Sequence, residues 1–226
     1  MRISIVIPTL NEAERIVATL TPLQALRAQG HEVIVVDGGS NDATLIQAMP
    51  LCDHILSSIP GRARQMNAGV QQAKSEILWF LHADTLTEPA DAAALLTTLA
   101  SDQHDWGRFD VRLSGTQPLL RVVEWLMNLR SRWTGIATGD QGIFVRRQVF
   151  DQVGGFPDIP LMEDIALSRL LKQHSTPACL RKRLITSSRR WEQRGVLRTI
   201  MLMWRLRFAY CRGEHPERLA ALYRQG

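Results

Sequence analysis

The sequence predicts an α/β protein: an open, doubly wound, Rossmann-like sheet, mostly parallel, closed by C-terminal helices. Three observations predict it. Short apolar strands alternate with helical stretches through the first hundred residues, the order that builds a parallel sheet with helices on both faces. The second strand, EVIVVD, is apolar without alternation, as a strand covered on both faces must be. Three strand ends are polar, namely Asn11-Glu12, Asp37-Gly-Gly-Ser40 and His82-Ala-Asp84, and ligands of such sheets gather at those carboxyl ends.

Arg2 to Ile7 reads as a buried strand closed by Pro8, and Glu12 to Ala28 as a helix with Ile16, Leu20, Leu23 and Leu26 inward. Gly30 ends that helix, and Glu32 to Asp37 is the second strand. A short helix from Ala43, a third strand at His54 to Ser57, a helix over Ala63 to Ala73 and a fourth strand at Ile77 to Leu81 follow. Beyond them, Pro89 to Leu99 reads as helical, and Arg108 to Leu113 alternates like an edge strand. Leu119 to Trp133 is amphipathic, with Leu119, Val122, Val123, Leu126 and Leu129 on one face. After Ile143-Phe-Val145, helices are expected over Glu163 to Gln173, Val196 to Cys211 and Glu217 to Tyr223. There is no internal repeat or linker, so residues 1–226 are expected to form one domain.

Apolar residues make up 45% of the chain and charged residues 22%, the balance of an ordinary globular protein. Apolar runs such as Ile200 to Trp204 stop far short of a membrane span. The N-terminus does not read as a signal peptide, its apolar run ending at Pro8. Cys52, Cys179 and Cys211 are odd in number and widely spaced, which offers neither a disulfide framework nor a zinc site and makes a reducing cytoplasm the expected setting. The net charge of +5 is uneven: residues 181–226 hold 12 Lys and Arg against 3 acids. An anionic partner near that end is expected, be it nucleic acid, acidic lipid or a phosphorylated substrate.

A strand-end carboxylate such as Asp37 can accept hydrogen bonds from ribose, and Gly38 and its neighbour would let a nucleotide approach the backbone. Alone, DGGSND reads equally well as a self-capped turn. Neither the GxGxxG fingerprint nor a phosphate-binding GxxxxGK[ST] loop is present. Asp84 follows a buried strand, where an isolated carboxylate is unfavourable unless neutralised. Mg²⁺ or Mn²⁺, which often takes one or two carboxylates and leaves the rest to water and phosphates, would neutralise it. His82 is either a second ligand or a packed core histidine.

ISIVIPTLNE, VIVVDGGSNDAT, GRARQMNAG, LWFLHADT, TGDQGIFVRR and MEDI occur in the order found in family 2 glycosyltransferases of the GT-A fold. The chain resembles that family over roughly residues 1–192. GRARQMNAG with FLHADT looks most like a compact bacterial subgroup that includes arsenosugar-biosynthesis-type glycosyltransferases. The resemblance implies a nucleotide-sugar donor held by residues 1–100, an acceptor and catalytic part over 101–192, and a basic helical extension over 193–226. Asp37 would hold the nucleoside with Gly38, helped by Pro8, Thr9, Asn11 and Glu12. HAD stands in place of the family's DXD motif, so Asp84 would bind the cation that bridges the diphosphate. His82 replaces the first acid, and histidine can itself ligate Mn²⁺.

Arg62 and Arg64 lie where the family often has a donor-facing arginine. Glu163-Asp164 resembles the family's ED pair, which implies Asp164 as general base and Glu163 as its positioning neighbour; Asp140 in TGDQG is a second candidate acid. Ser188-Arg-Arg-Trp191 is similar to the QxxRW element of related synthases, without its Gln. That likeness places Arg189 and Arg190 on phosphate and Trp191 against the acceptor. The implied activity is a metal-assisted, inverting sugar transfer. A nucleotidyltransferase would want glycine in PTLNEAER, which has none, and a non-catalytic sugar-nucleotide binder is the other alternative. No nucleic-acid recognition motif accompanies the basic tail. A peripheral contact with the inner face of the membrane is open to the C-terminal helices.

Overall fold

A computed structural model describes residues 1–225. Its first half runs β1 (Ile3–Thr9), α1 (Ile16–Leu20), α2 (Gln24–Ala28), β2 (Glu32–Asp37), α3 (Thr44–Ala48), β3 (His54–Ser57), α4 (Arg62–Gln72) and β4 (Ile77–Phe80). The helix expected over Glu12 to Ala28 is two short helices instead. Pro22 lies between them; it has no N–H to donate and its ring crowds the preceding turn. The chain then continues through β5 (Thr85–Leu86), α5 (Pro89–Ala100), β6 (Trp106–Leu113), α6 (Pro118–Thr134), β7 (Phe144–Arg146), α7 (Arg147–Gln152) and α8 (Glu163–His174). It closes with β8 (Ala178–Thr186), α9 (Arg189–Arg194), α10 (Val196–Cys211) and α11 (Pro216–Gln225).

All eight strands join one sheet in the order β3-β2-β1-β4-β7-β6-β8-β5. The first four are mutually parallel, so β1, β2 and β4 present their carboxyl ends at one rim. β7 runs antiparallel to β4 and carries the sheet across to β6. The uninterrupted apolar strands now have their reason. Ile5 and Ile7 of β1, Val33 and Val35 of β2 and Trp79 of β4 pack into one core with α1, α2 and α5. Val6, Ile34, Val36, Leu78 and Phe80 point the other way, into a second core against α4, α7 and α8. Gly69 lets α4 sit close on β1, for a Cβ there would fall 2.4 Å from Val6 Cγ1.

Three expectations are corrected in the second half. β8 had no counterpart, because Arg181-Lys-Arg183 hides its period. A bulge opposite Phe109 and Asp110 lets Arg181 and Lys182 pass without a partner in the ladder. β6 is not an edge strand: it lies between β7 and β8 and is buried along nearly its whole length. In α6 the expected inward face is mostly outward. Val123 is buried, but Leu119, Val122 and Leu126 are exposed, and Leu120 and Met127 pack inside instead.

Polar anchors explain that rotation of α6. Asn128 Oδ1 accepts from the Val111 N–H at 2.9 Å, its Nδ2 donates to the Val111 carbonyl at 3.0 Å, and Glu124 Oε2 accepts from the Leu113 N–H at 3.0 Å. The helix thus satisfies backbone groups of β6 beyond the reach of β7, and buried groups of that kind must find partners. Beside them Arg108, fully buried, pairs with Asp110, whose other oxygen accepts from Arg132 Nη2 at 2.7 Å. Asp110→Ala would strand the Arg108 charge in the core. A loss of about 3–5 kcal/mol in urea unfolding is expected.

Candidate active site

A cavity of about 500 Å³ opens at the rim where β1 and β4 end. Pro8, Thr9 and Glu12 reach it from β1 and its following turn, His82 and Asp84 from the end of β4, and Arg62 from the first turn of α4. Asp140 in the short 3₁₀ turn Gly139–Gln141 and the pair Glu163-Asp164 opening α8 line it too. Arg189, Arg190 and Trp191 of α9 line it as well. Most of the residues singled out in the sequence, separated by up to 183 positions, therefore meet in one space.

The acid pair is held by local backbone geometry. Met162, just before α8, adopts the left-handed conformation at φ 71°, a departure of the kind concentrated at functional sites and costing about 1–3 kcal/mol. Asp164 is fixed by two backbone donors, the Gly139 N–H at 2.9 Å and the Ile165 N–H at 2.7 Å. Each oxygen still keeps a lone pair for another donor. Glu163 is buried, and that burial, reinforced by the neighbouring Asp164 carboxylate, raises its pKa above 4.5. That burial favours the protonated form of Glu163 over what it would be in water.

His82 faces the same group. Its Nδ1 lies 3.1 Å from Asp140 Oδ1, while its buried Nε2 has no partner. A Cβ at Gly139 would come within 2.3 Å of that Nε2, so glycine is required for the contact. Burial pushes Asp140 upward, but the His82 hydrogen bond and the His82, Arg62 and Arg207 charges outweigh it and leave its pKa lowered. Desolvation works against the charge of Arg62, yet the fields of Glu163, Tyr223, Asp140 and Asp164 prevail and raise its pKa. Both positive and negative groups line the cavity.

Across the cavity, Glu12 is raised from 4.5 by burial, and the Asp84 charge adds to that against the opposing Arg189 and Arg15. Arg189 Nη2 donates to Glu12 Oε1 at 3.4 Å, and Glu12 Oε2 is buried without a hydrogen bond. No group of three His, Cys, Asp or Glu able to hold a metal occurs among the described residues. Glu12, though paired with Arg189 and Arg15, senses the Asp84 charge, and two such carboxylates fit a hard cation whose remaining ligands come from water and phosphates. They do not fit an all-protein cage.

Asp37, Gly38 and Asn11 stand beside the cavity and do not line it. Asp37 Oδ2 accepts from the N–H groups of Gly39 at 2.9 Å and Ser40 at 2.8 Å. Asn11, at φ 54°, ties the two loops together: its N–H donates to Ser40 Oγ at 2.8 Å and its Oδ1 accepts from the Asn41 N–H at 2.9 Å. The self-capped turn is therefore real, and it builds a shelf next to the rim. Arg64 does not join the site; its Nε donates to Asp158 Oδ1 at 2.7 Å on the surface. Two residues on from Arg62, about 200° around α4, it points off the cavity.

Sequence reasoning missed Gln65. This buried side chain donates to the carbonyls of Thr9 and Val36, both at 2.8 Å, and clamps the ends of β1 and β2. A polar residue three positions after Arg62 on an otherwise apolar helix face was its only signal. Thr199, Met203 and Arg207 of α10 and Tyr223 of α11 close the far wall. Nothing in their spacing announced it. Arg190 stacks on Tyr223 at 3.4 Å from the ring centroid and donates to the Tyr223 carbonyl at 2.9 Å.

Residues 4–154 match the family model Glycosyl transferase family 2. The chain belongs to that family. This family 2 chain is 30% identical over 172 residues to a PGL/p-HBAD biosynthesis glycosyltransferase of Mycobacterium bovis (strain BCG / Pasteur 1173P2), an overlap of 68% of this chain and 62% of the relative. It is 32% identical over 123 residues to an uncharacterized glycosyltransferase of Mycobacterium tuberculosis, covering 50% of this chain and 47% of that one. It thus spans less than two thirds of the length of either relative.

Among solved structures, S. aureus TarS 1–349 superposes with a TM-score of 0.67 at 18% identity, over 83% of this chain and 61% of that one. The mannosyltransferase PcManGT of Pyrobaculum calidifontis, in complex with GDP-Man and Mn²⁺, gives 0.65 at 21% identity over 92% and 61%. Glucosyl-3-phosphoglycerate synthase of Mycobacterium tuberculosis, in complex with Mn²⁺, UDP and phosphoglyceric acid, gives 0.62 at 19% over 82% and 69%. The family 2 chain therefore has the GT-A fold.

Proposed function

We propose that the chain moves a sugar from a nucleotide-diphosphate sugar to an acceptor hydroxyl, with inversion, in a single in-line displacement. One observation carries the reading: a single cavity joins Asp84 and Glu12 at one end to Glu163 and Asp164 at the other. The solved relatives bound to UDP, GDP-Man and Mn²⁺ support it, as does family membership. The nucleoside would rest on the shelf shaped by Asp37, Gly38 and Asn11, against Pro8 and Thr9. Arg62, Arg189 and Arg190 supply positive charge to the diphosphate, and Trp191 with Met203 walls the acceptor.

Asp164, oriented by two N–H donors, takes the proton of the acceptor hydroxyl as its oxygen attacks the anomeric carbon. The bond from that carbon to the diphosphate oxygen breaks, and the electron pair leaves on the diphosphate. Glu163 and the His82–Asp140 pair position this base from either side. Asp84, with Glu12 beside it, would hold Mg²⁺ or Mn²⁺; His82 could contribute only through Nε2, because Nδ1 is taken. When bound, the ion neutralises charge on the departing diphosphate. The unpaired state of all three cysteines supports a reducing, cytoplasmic setting. GRARQMNAG and FLHADT support membership of the compact arsenosugar-type subgroup.

A thermal-shift screen of nucleoside diphosphates and nucleotide sugars, with and without Mn²⁺, tests the reading. A ligand that binds only the folded state stabilises it, so one nucleotide series should raise Tm, and more so with the ion. No shift from any nucleotide would refute the assignment.

A further inference from the structure

Two neighbouring helices leave an apolar face uncovered. In α6, Leu119, Val122, Trp125, Leu126 and Trp133 are exposed, the two tryptophans at 60% and 81%. In α10, Leu197, Met201, Trp204 and Phe208 are exposed, the last two at 66% and 65%. Their spacing of four, three and four residues puts them on one stripe of the helix. The helices lie side by side: Val196 and Ile200 of α10 pack in the same cluster as Leu120, Val123 and Met127 of α6. Soluble monomers rarely expose an apolar surface of this extent, and such patches mark interaction sites.

The charges around the patch select its occupant. Arg198, Arg205 and Arg212 recur every seven residues and run along one flank of the α10 stripe. None of them forms a salt bridge among the described residues, although Arg212 lies over the Phe208 ring at 5.5 Å. α10 contains no acid at all, and the single acid of α6, Glu124, is buried beneath it. A second copy of the chain meeting this face about a two-fold axis would set arginines against arginines. An anionic lipid surface suffers no such conflict. It accepts the arginines at its headgroups, the tryptophans at the interface and the aliphatic chains just below.

We propose that the chain docks on anionic membranes through the outward faces of α6 and α10, lying on the surface without crossing it. No helix among the described residues is long and apolar enough to cross a membrane. The proposal gives the peripheral contact of the C-terminal helices a defined surface, and adds α6 to it. It does not depend on the catalytic assignment, because vesicle binding is measured without substrate and donor binding without vesicles.

The test is co-sedimentation of the full chain with vesicles of phosphatidylcholine alone or mixed with phosphatidylglycerol. Binding should require phosphatidylglycerol and weaken at high salt. Trp204→Glu with Phe208→Glu should reduce it by about tenfold or more, with the circular dichroism spectrum unchanged. Replacing Arg198, Arg205 and Arg212 by Gln, which spares the apolar stripe, should also reduce it and flatten the salt dependence. Absence of binding to the anionic vesicles overturns the proposal, as does binding that the Glu pair leaves untouched. Sedimentation as a dimer that the Glu pair converts to monomer would assign the face to a second copy instead.

Discussion

Replacing Asp164 with Asn is expected to lower turnover by about 10²–10⁴-fold, the range removed with a positioned base, while the donor still produces its thermal shift. The amide keeps an oxygen that can accept from the Gly139 N–H, as Asp164 Oδ2 does at 2.9 Å, so the loop should hold its place. Equal losses in turnover and donor binding would mean that Asp164 organises the cavity and does not act as base. Glu163→Gln separates the two acids. The folded pKa of Glu163 is raised above 4.5 by burial and by Asp164, so the folded state holds that proton more tightly than the unfolded chain. Its contribution to stability is present below 4.5 and is lost as the pH climbs through the folded value. Glu163→Gln should therefore raise Tm at neutral pH and change little under acid conditions. A Tm gain confined to low pH would contradict this sign.

Asp84→Ala should remove the ion-dependent part of the donor's thermal shift and lower turnover by roughly 10³-fold, equivalent to several kcal/mol of charge stabilisation. Glu12 senses the Asp84 charge, which helps to raise its pKa. Losing the Asp84 charge leaves the rim less negative, so some nucleotide binding free of metal should survive through Arg62 and Arg189. Retention of the full Mn²⁺ effect in Asp84→Ala would place the ion elsewhere. His82→Ala then decides whether His82 Nε2 holds it.

What the sequence made legible follows from how much each signal depends on distant contacts. β1, β2 and β4 could be read because strands buried on both faces must be apolar throughout, whatever packs on them. The rim of acids was legible for the same reason: Asp84 follows a strand too apolar to end in a carboxylate by chance. β8 was illegible because Arg181, Lys182 and Arg183 lie at a bulge, where pairing with β6 and not periodicity sets the path. The rotation of α6 is decided by Glu124 and Asn128 bonding to β6, and a helical wheel scores both as solvent-facing. Arg64 looked equivalent to Arg62 in GRARQ, yet two residues turn it about 200° around the helix, from the cavity to Asp158. The far wall from α10 and α11 is a tertiary product with no local signature.

That wall has a kinetic consequence. Thr199, Met203 and Arg207 look into the cavity, while Leu197, Met201, Trp204 and Phe208 of the same helix look outward. A single cylinder about 10 Å across thus separates the cavity, the proposed reaction chamber, from the face proposed to dock on lipid. For a molecule already dissolved in that lipid, the search for the chamber takes place in two dimensions. Rates would then track its areal density, so that diluting it with inert lipid should slow turnover while its bulk concentration stays constant.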